Sequence, residues 1–188
     1  MKSLHRLLIR KRRAALPVGE YRALSRAVFS KIITLPVFTK AQHVAVYMPH
    51  ENEVDTQFLI EQAHADKKSV YLPVFSKTLS FHLVKPGDAL IESETGILEP
   101  VKNSESAALA TRIDLMFLPL VAFDERGYRL GRGAGAYDRY LALHRPYLIG
   151  LAYEFQKISS LEKEPWDVPM DCVVTEMNVY CFKPRFGS

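Results

Sequence analysis

The apolar run Leu115-Met116-Phe117-Leu118-Pro119-Leu120-Val121-Ala122-Phe123 leads directly into DERGYRLGRGAGAYDRY, residues 124–140. This junction constrains the fold most. A run so uniformly apolar suits a strand buried on both faces, as in the centre of a parallel sheet. The stretch that follows holds four glycines (Gly127, Gly131, Gly133, Gly135) and four arginines (Arg126, Arg129, Arg132, Arg139). A buried strand passing into glycines and then a helix is the sequence form of an anion-binding loop. Without a Cβ, glycine lets backbone N–H groups approach an anion closely. Arginine adds fixed charge on a planar donor fork. Asp138 follows, placed to hold a divalent cation against bound phosphate. The spacing matches neither G-x-x-x-x-G-K-[ST] nor G-x-G-x-x-G. The residue types point to polyphosphate plus metal. A long glycine hairpin with a solvated arginine face is the competing reading.

A chain of 188 residues fits one domain, residues 1–188, with room for a substantial core. The net charge of +4 and pI near 9.0 favour acidic ligands, among them nucleotides, polyglutamates and nucleic acid. Two cysteines, Cys172 and Cys181, form no C-x-x-C and no disulfide framework, so two reduced thiols in a cytoplasmic protein are expected. The basic start MKSLHRLLIRKRR lacks the long apolar region of a secretory signal, and no stretch approaches the roughly 20 apolar residues of a membrane span.

Residues 2–15 read as a helix, with Leu4, Leu7 and Leu8 as its apolar stripe and Lys2, Arg6, Arg10 and Arg13 on another face. Three uses of that basic face are open: a solvated surface, a nucleic-acid contact, or charges reaching an anionic ligand. It has little of the aromatic interleaving that single-stranded nucleic acid requires. A second helix is predicted over 20–34, ended by Pro36. Strands are predicted over 43–47, 69–74, 79–84, 113–120, 147–152, 172–175 and 179–182. Helices are predicted over 57–65, with Thr56 as N-cap, and over 135–143. Residues 85–110 read as an irregular excursion. Strand–helix–strand order implies parallel crossovers, hence one three-layer α/β/α domain with a largely parallel sheet.

Loops after parallel strands gather at one sheet edge, where α/β folds bind ligands. The candidate loops are 48–55, 123–138 and 153–171. Glu53 can accept hydrogen bonds from a polar ligand ring or cap a helix as a solvated acid. Asp138 and Asp171 can share a metal only if folding unites them, and Asp171 alone reads as structural. The six histidines show no metal-ligand pairing, and zinc is not expected. No G-x-S-x-G elbow supplies a serine nucleophile. Trp166 either packs the last loop or stacks on a ligand ring, with packing the expectation.

Together these motifs resemble the 5-formyltetrahydrofolate cyclo-ligase family. Phe123-Asp124, Gly127, Arg129-Leu130-Gly131-Arg132-Gly133, Gly135 and Tyr137-Asp138 match its hallmark. Glu53-Val54-Asp55-Thr56, Gly96-Ile97-Leu98-Glu99-Pro100, and Pro165-Trp166-Asp167 with Asp171 resemble its other motifs in order. Lys2 and Arg6 match the Lys-x-x-x-Arg of its first helix.

The resemblance implies an ATP- and magnesium-dependent ligase that converts 5-formyltetrahydrofolate to 5,10-methenyltetrahydrofolate, through attack of the formyl oxygen on the γ-phosphate. It assigns Lys2, Arg6, Arg129, Leu130, Gly131, Arg132, Gly133, Ala134, Gly135, Ala136 and Tyr137 to ATP. It assigns Met48, Glu53 and the loop from Arg132 through Gly133, Ala134 and Gly135 to Ala136 to the folate. Mg2+ falls to Asp138 and Asp171, and catalysis to Arg132 and Asp138. The expected protein is a monomer that binds neither nucleic acid nor membrane. One departure stands out. The family's usual Tyr-Tyr-Asp is here Ala136-Tyr137-Asp138, which implies altered folate affinity or a neighbour filling the gap. The alternatives are a related ATP-dependent enzyme acting on another small acid, and a nucleic-acid-binding module built on Lys2, Arg6, Arg10, Arg12 and Arg13.

Overall fold

A computed structural model describes residues 2–101 and 112–182. Five α-helices are described: α1 (Lys2–Ala14), α2 (Val18–Ile32), α3 (Pro36–Lys40), α4 (Gln57–Ala65) and α5 (Ala136–Leu141). The main sheet uses β1 (His43–Ala45), β2 (Ser69–Phe75), β3 (Leu79–Val84), β6 (Leu115–Pro119), β9 (Tyr147–Leu151), β11 (Cys172–Val174) and β12 (Val179–Cys181). Between them lie β4 (Leu90–Glu92), β5 (Leu98–Pro100), β7 (Ala122–Asp124), β8 (Arg129–Leu130) and β10 (Lys157–Ile158).

The sheet order is β12-β11-β9-β6-β1-β2-β3. The five inner strands run parallel, and antiparallel β12 and β3 close the edges. As its apolar run predicts, β6 is central, with Leu115, Met116, Phe117 and Leu118 buried. Alternate side chains serve opposite faces. Leu115 and Phe117 pack with α2, α3 and α4 through Val28, Ile32, Phe38 and Leu59. Met116 and Leu118 pack on the other face with Leu141 of α5 and Met170. This is the predicted three-layer arrangement.

The connection from β1 crosses to β2 on one side, whereas β6 adds on the other side and leads to β9. The chain order therefore reverses between β1 and β6, and a crevice at their carboxyl ends is the expected ligand position.

Four local expectations change. Pro36 not only ends α2 but stands at the start of α3, where its missing N–H costs nothing. The Thr56 hydroxyl donates to Tyr47 O instead of capping α4, and Asp55 accepts from Gln57 N at 3.0 Å. In α1 the leucine stripe faces outward (Leu4, Leu7 and Leu8 are 54–65% exposed), while Ile9 and Arg13 are buried. The helix is turned by its cations, which find partners inside the fold. Within the excursion over 85–110, β4 and β5 form a hairpin; residues 102–110 of it lie outside the described residues.

The expectation of reduced thiols is corrected. Antiparallel pairing sets Cys172 directly opposite Cys181, with Cα atoms 4.2 Å apart, and the two form a disulfide. Sequence spacing could not show that register. Among the described residues no helix is long and apolar enough to cross a membrane.

Gly150 sits in the sheet where no room remains for a side chain. A Cβ there would lie 2.5 Å from Met170 Sδ and 2.7 Å from Leu120 Cδ2. Gly150→Ala is expected to cost about 1–3 kcal/mol by overpacking, read as a lower urea midpoint at unchanged slope.

Candidate active site at the carboxyl edge of the sheet

The glycine stretch divides into two parts. Residues 124–130 are a hairpin, β7 to β8, which turns at Gly127 (φ +82°). A Cβ at Gly127 would meet the Phe182 ring at 2.7 Å, so space and backbone both require glycine. The buried Asp124 carboxylate holds the turn, accepting from Arg126 N, Tyr128 N and the Arg126 side chain. Arg126 is thus structural, and the hairpin reading holds for this half.

The second half is a basic loop. Strand β8 turns Arg129 inward, where Nη1 donates to Val168 O (2.8 Å) and Nη2 to Asp138 Oδ1 (2.6 Å). Burial pulls the Arg129 pKa down, opposed chiefly by Asp138. Gly133 (φ +118°) and Gly135 (φ +63°) curve residues 131–135 back to α5. Arg6 of α1 donates to Gly131 O at 2.8 Å, and its guanidinium carbon lies 3.8 Å from where a Gly133 Cβ would stand. Arg139 fastens Ala134 O at 2.9 Å. Helix α5 is one and a half turns long and adds little dipole, so the cations and loop amides supply the positive field.

A carboxylate faces this loop from the exit of β1. Glu53 is 5% exposed. Its Oε1 lies 3.4 Å from Arg132 Nε and 3.7 Å from Arg13 Nη1, and its Oε2 accepts from His50 N at 3.2 Å. Arg13 is wholly buried and donates to Glu51 O and Leu120 O. Burial raises the Glu53 pKa, against the pull of Arg132 and Arg13.

These groups border one cavity of about 440 Å³ at the crevice between β1 and β6. Lys2, Arg6, Met48, Glu53, Arg129, Leu130, Gly131, Arg132, Gly133, Ala134, Gly135, Ala136, Tyr137 and Asp138 all line it. Asp171 does not. It sits near the amino ends of β9 and β11, where its oxygens accept from Arg145 (2.9 and 3.2 Å) and from Leu148 N (2.7 Å). Folding therefore does not join Asp138 and Asp171 at this cavity, because strand register fixes Asp171 toward the opposite edge.

The sequence profile of the 5-formyltetrahydrofolate cyclo-ligase family matches residues 1–176. The 5-formyltetrahydrofolate cyclo-ligase of Escherichia coli K12 is 36% identical over 180 residues, covering 92% of this chain and 99% of the relative. That of Haemophilus influenzae is 34% identical, covering 86% and 90%. The chain belongs to the 5-formyltetrahydrofolate cyclo-ligase family. Two solved structures agree in fold. The 5,10-methenyltetrahydrofolate synthetase of Aquifex aeolicus has a TM-score of 0.86 at 37% identity, covering 100% of this chain and 94% of that one. The Mycoplasma pneumoniae synthetase has a TM-score of 0.75 at 29% identity, covering 93% and 98%.

In this cyclo-ligase family member the cavity also takes residues that sequence reasoning did not assign, among them Phe75, Thr95, Glu162, Glu164 and Asp167. Phe75 carried a usable signal, being an aromatic at the end of a parallel strand. Its ring meets Tyr137 edge-on at 6.3 Å, and Phe81 backs Tyr137 at 6.4 Å. Phe75 and Ala136 both line the cavity.

The metal expectation can be tested on donors. Among the described residues no three His, Cys, Asp or Glu side chains group to hold an ion. Magnesium commonly takes one or two carboxylates and completes its shell with substrate phosphate and water. Asp138 beside the basic loop fits that pattern as a single protein ligand; Asp171 does not.

Because its pKa is raised above the ordinary 4.5, Glu53 holds its proton more tightly in the folded chain than in the unfolded one. Stability then falls as pH rises from about 4.5 through the raised value. Glu53→Gln is expected to match the parent below this window and to lose less stability above it. Urea midpoints across that range test this, and parallel curves would refute it.

Proposed function

We propose that the chain catalyses ATP-dependent cyclisation of 5-formyltetrahydrofolate to 5,10-methenyltetrahydrofolate, releasing ADP and phosphate. One observation carries the reading. A single cavity joins a basic glycine loop, flanked by Lys2, Arg6 and Arg129, to a more apolar end that holds the buried Glu53 carboxylate. The first end suits polyphosphate. The second suits a flat heterocycle with N–H donors, with Met48, Pro73 and Phe75 as its walls.

In this reading the formyl oxygen attacks the γ-phosphorus. A new P–O bond forms, and the bond from that phosphorus to the β,γ-bridging oxygen breaks, so ADP departs. N10 then bonds to the activated formyl carbon and gives up its proton. The carbon–oxygen bond to phosphate breaks, leaving the methenyl bridge. Such chemistry asks the protein for alignment and charge neutralisation more than for a nucleophile. In this reading Arg132 stands between folate and phosphate, which its 3.4 Å approach to Glu53 supports. Lys2, Arg6 and the loop amides hold the phosphate chain. Arg129 orients Asp138, the residue that would hold Mg2+. When bound, the ion would neutralise phosphate charge. Both substrates lie on one chain in this reading, so one domain acting as a monomer suffices.

The test is growth of the methenyl product's near-ultraviolet absorbance when folded protein, magnesium, ATP and 5-formyltetrahydrofolate are combined. No growth, or growth without ATP, rejects the proposal. Asp138→Asn keeps an oxygen for Arg129 but removes the charge. It is expected to lower kcat by roughly 10²-fold or more, and also to lower the unfolding midpoint, because buried Arg129 loses its charged partner. Parent-like turnover would remove Asp138 from the machinery.

A further inference from the structure

The sequence favoured a packing role for Trp166, and the structure does not supply one. Its ring is 65% exposed, yet it lines the cavity. Single exposed apolar residues are common on protein surfaces, but this one stands on a braced turn.

Asp167 N donates to Glu164 O at 3.1 Å, closing a four-residue turn with Pro165 and Trp166 at its centre. Proline pre-sets the backbone of the first central position. The Asp167 carboxylate then accepts from Glu164 N at 2.8 Å, locking the turn from the other side. The turn is fastened at both ends to the basic side of the cavity. Lys2 Nζ reaches Glu164 at 3.3 Å, and Arg129 donates to Val168 O at 2.8 Å. A rigid mount thus holds an uncovered indole beside the cations assigned to polyphosphate. Tyr128, Leu130 and Leu161 also line the cavity and belong to one apolar cluster that can seat a flat ring.

We propose that Trp166 is the shelf of a nucleobase subsite, on which the adenine ring of ATP stacks. This rests on the ATP reading above and adds to it a residue that determines affinity for the base. Aromatic–base stacking typically contributes about 1–3 kcal/mol, roughly 5- to 150-fold in affinity.

Trp166 is the chain's single tryptophan, so indole emission reports on this position alone. The experiment titrates the whole protein with ATP, inorganic tripolyphosphate or 5-formyltetrahydrofolate. It follows fluorescence, corrected for ligand absorbance, and heat of binding in parallel. ATP is expected to quench the emission to saturation. Tripolyphosphate should bind with heat but little quenching. Trp166→Ala should weaken ATP at least about fivefold and leave tripolyphosphate affinity unchanged, and Trp166→Phe should recover most of the loss.

If ATP binds with heat but leaves emission unchanged, the shelf is refuted while the proposed reaction stands. Equal loss of both ligands in Trp166→Ala would show the ring acting only through the turn, and would also refute it. Quenching by the folate in place of ATP would move the ring to the other substrate. No heat with ATP would remove the nucleotide reading and the shelf together.

Discussion

The buried Asp124 carboxylate is the contact on which the site depends. It accepts from Arg126 N, Tyr128 N and Leu161 N, and from the Arg126 guanidinium. A carboxylate wholly out of water is tolerated only when its lone pairs are satisfied, and here backbone and a charged partner do so together. These bonds shape the β7–β8 hairpin and fasten it to the loop that holds Leu161. From the hairpin, β8 aims Arg129 inward and releases the glycine loop beside it. From the Leu161 loop come Glu164, Trp166 and Asp167. One carboxylate thus fixes the spacing between two walls of the cavity.

Helix α1 joins the ends of the site in a different way. Its first two turns bring Arg6 to the glycine loop and Lys2 to Glu164 on the cavity rim, and its last turn sends Arg13 under Glu51 and Glu53. Arg13 Nη1 also reaches Leu120 O at the exit of β6. Removing a buried cation of this kind would leave Glu53 in a low-dielectric place with one partner fewer. The outward leucines of α1 follow from the same constraint. A helix whose cations are bound inside cannot also turn its apolar stripe to the core.

Much of this was legible because the signals were strong. The run from Leu115 to Phe123 marked the sheet centre, and the density of glycine and arginine marked the basic loop. Lys2, Arg6, Glu53 and Asp138 were placed through the resemblance, and they do line one cavity. What failed depended on register and rotation, which no local pattern encodes. Asp171 shares a motif with Trp166 and Asp167, yet the pairing of β11 with β9 carries it toward the far edge. The opposition of Cys172 and Cys181 is likewise a matter of strand register. The hairpin at Gly127 was hidden inside a stretch read as one motif, because its turn and the anion loop both call for glycine.

Ala136 shows why position in space outranks position in a motif. The missing ring implies altered folate affinity or a neighbour filling the gap. The fold places Phe75, from the end of β2, in the same wall and in edge contact with Tyr137. Tyr137 in turn is held by Phe81, which also meets Tyr140 at 5.0 Å. Edge-to-face rings of this kind stabilise one another by about 0.5–1.5 kcal/mol beyond their buried area. Phe75 and Tyr137 thus give the cavity an aromatic wall, with buried Phe81 packed behind Tyr137. Ala136 itself adds no ring to that wall.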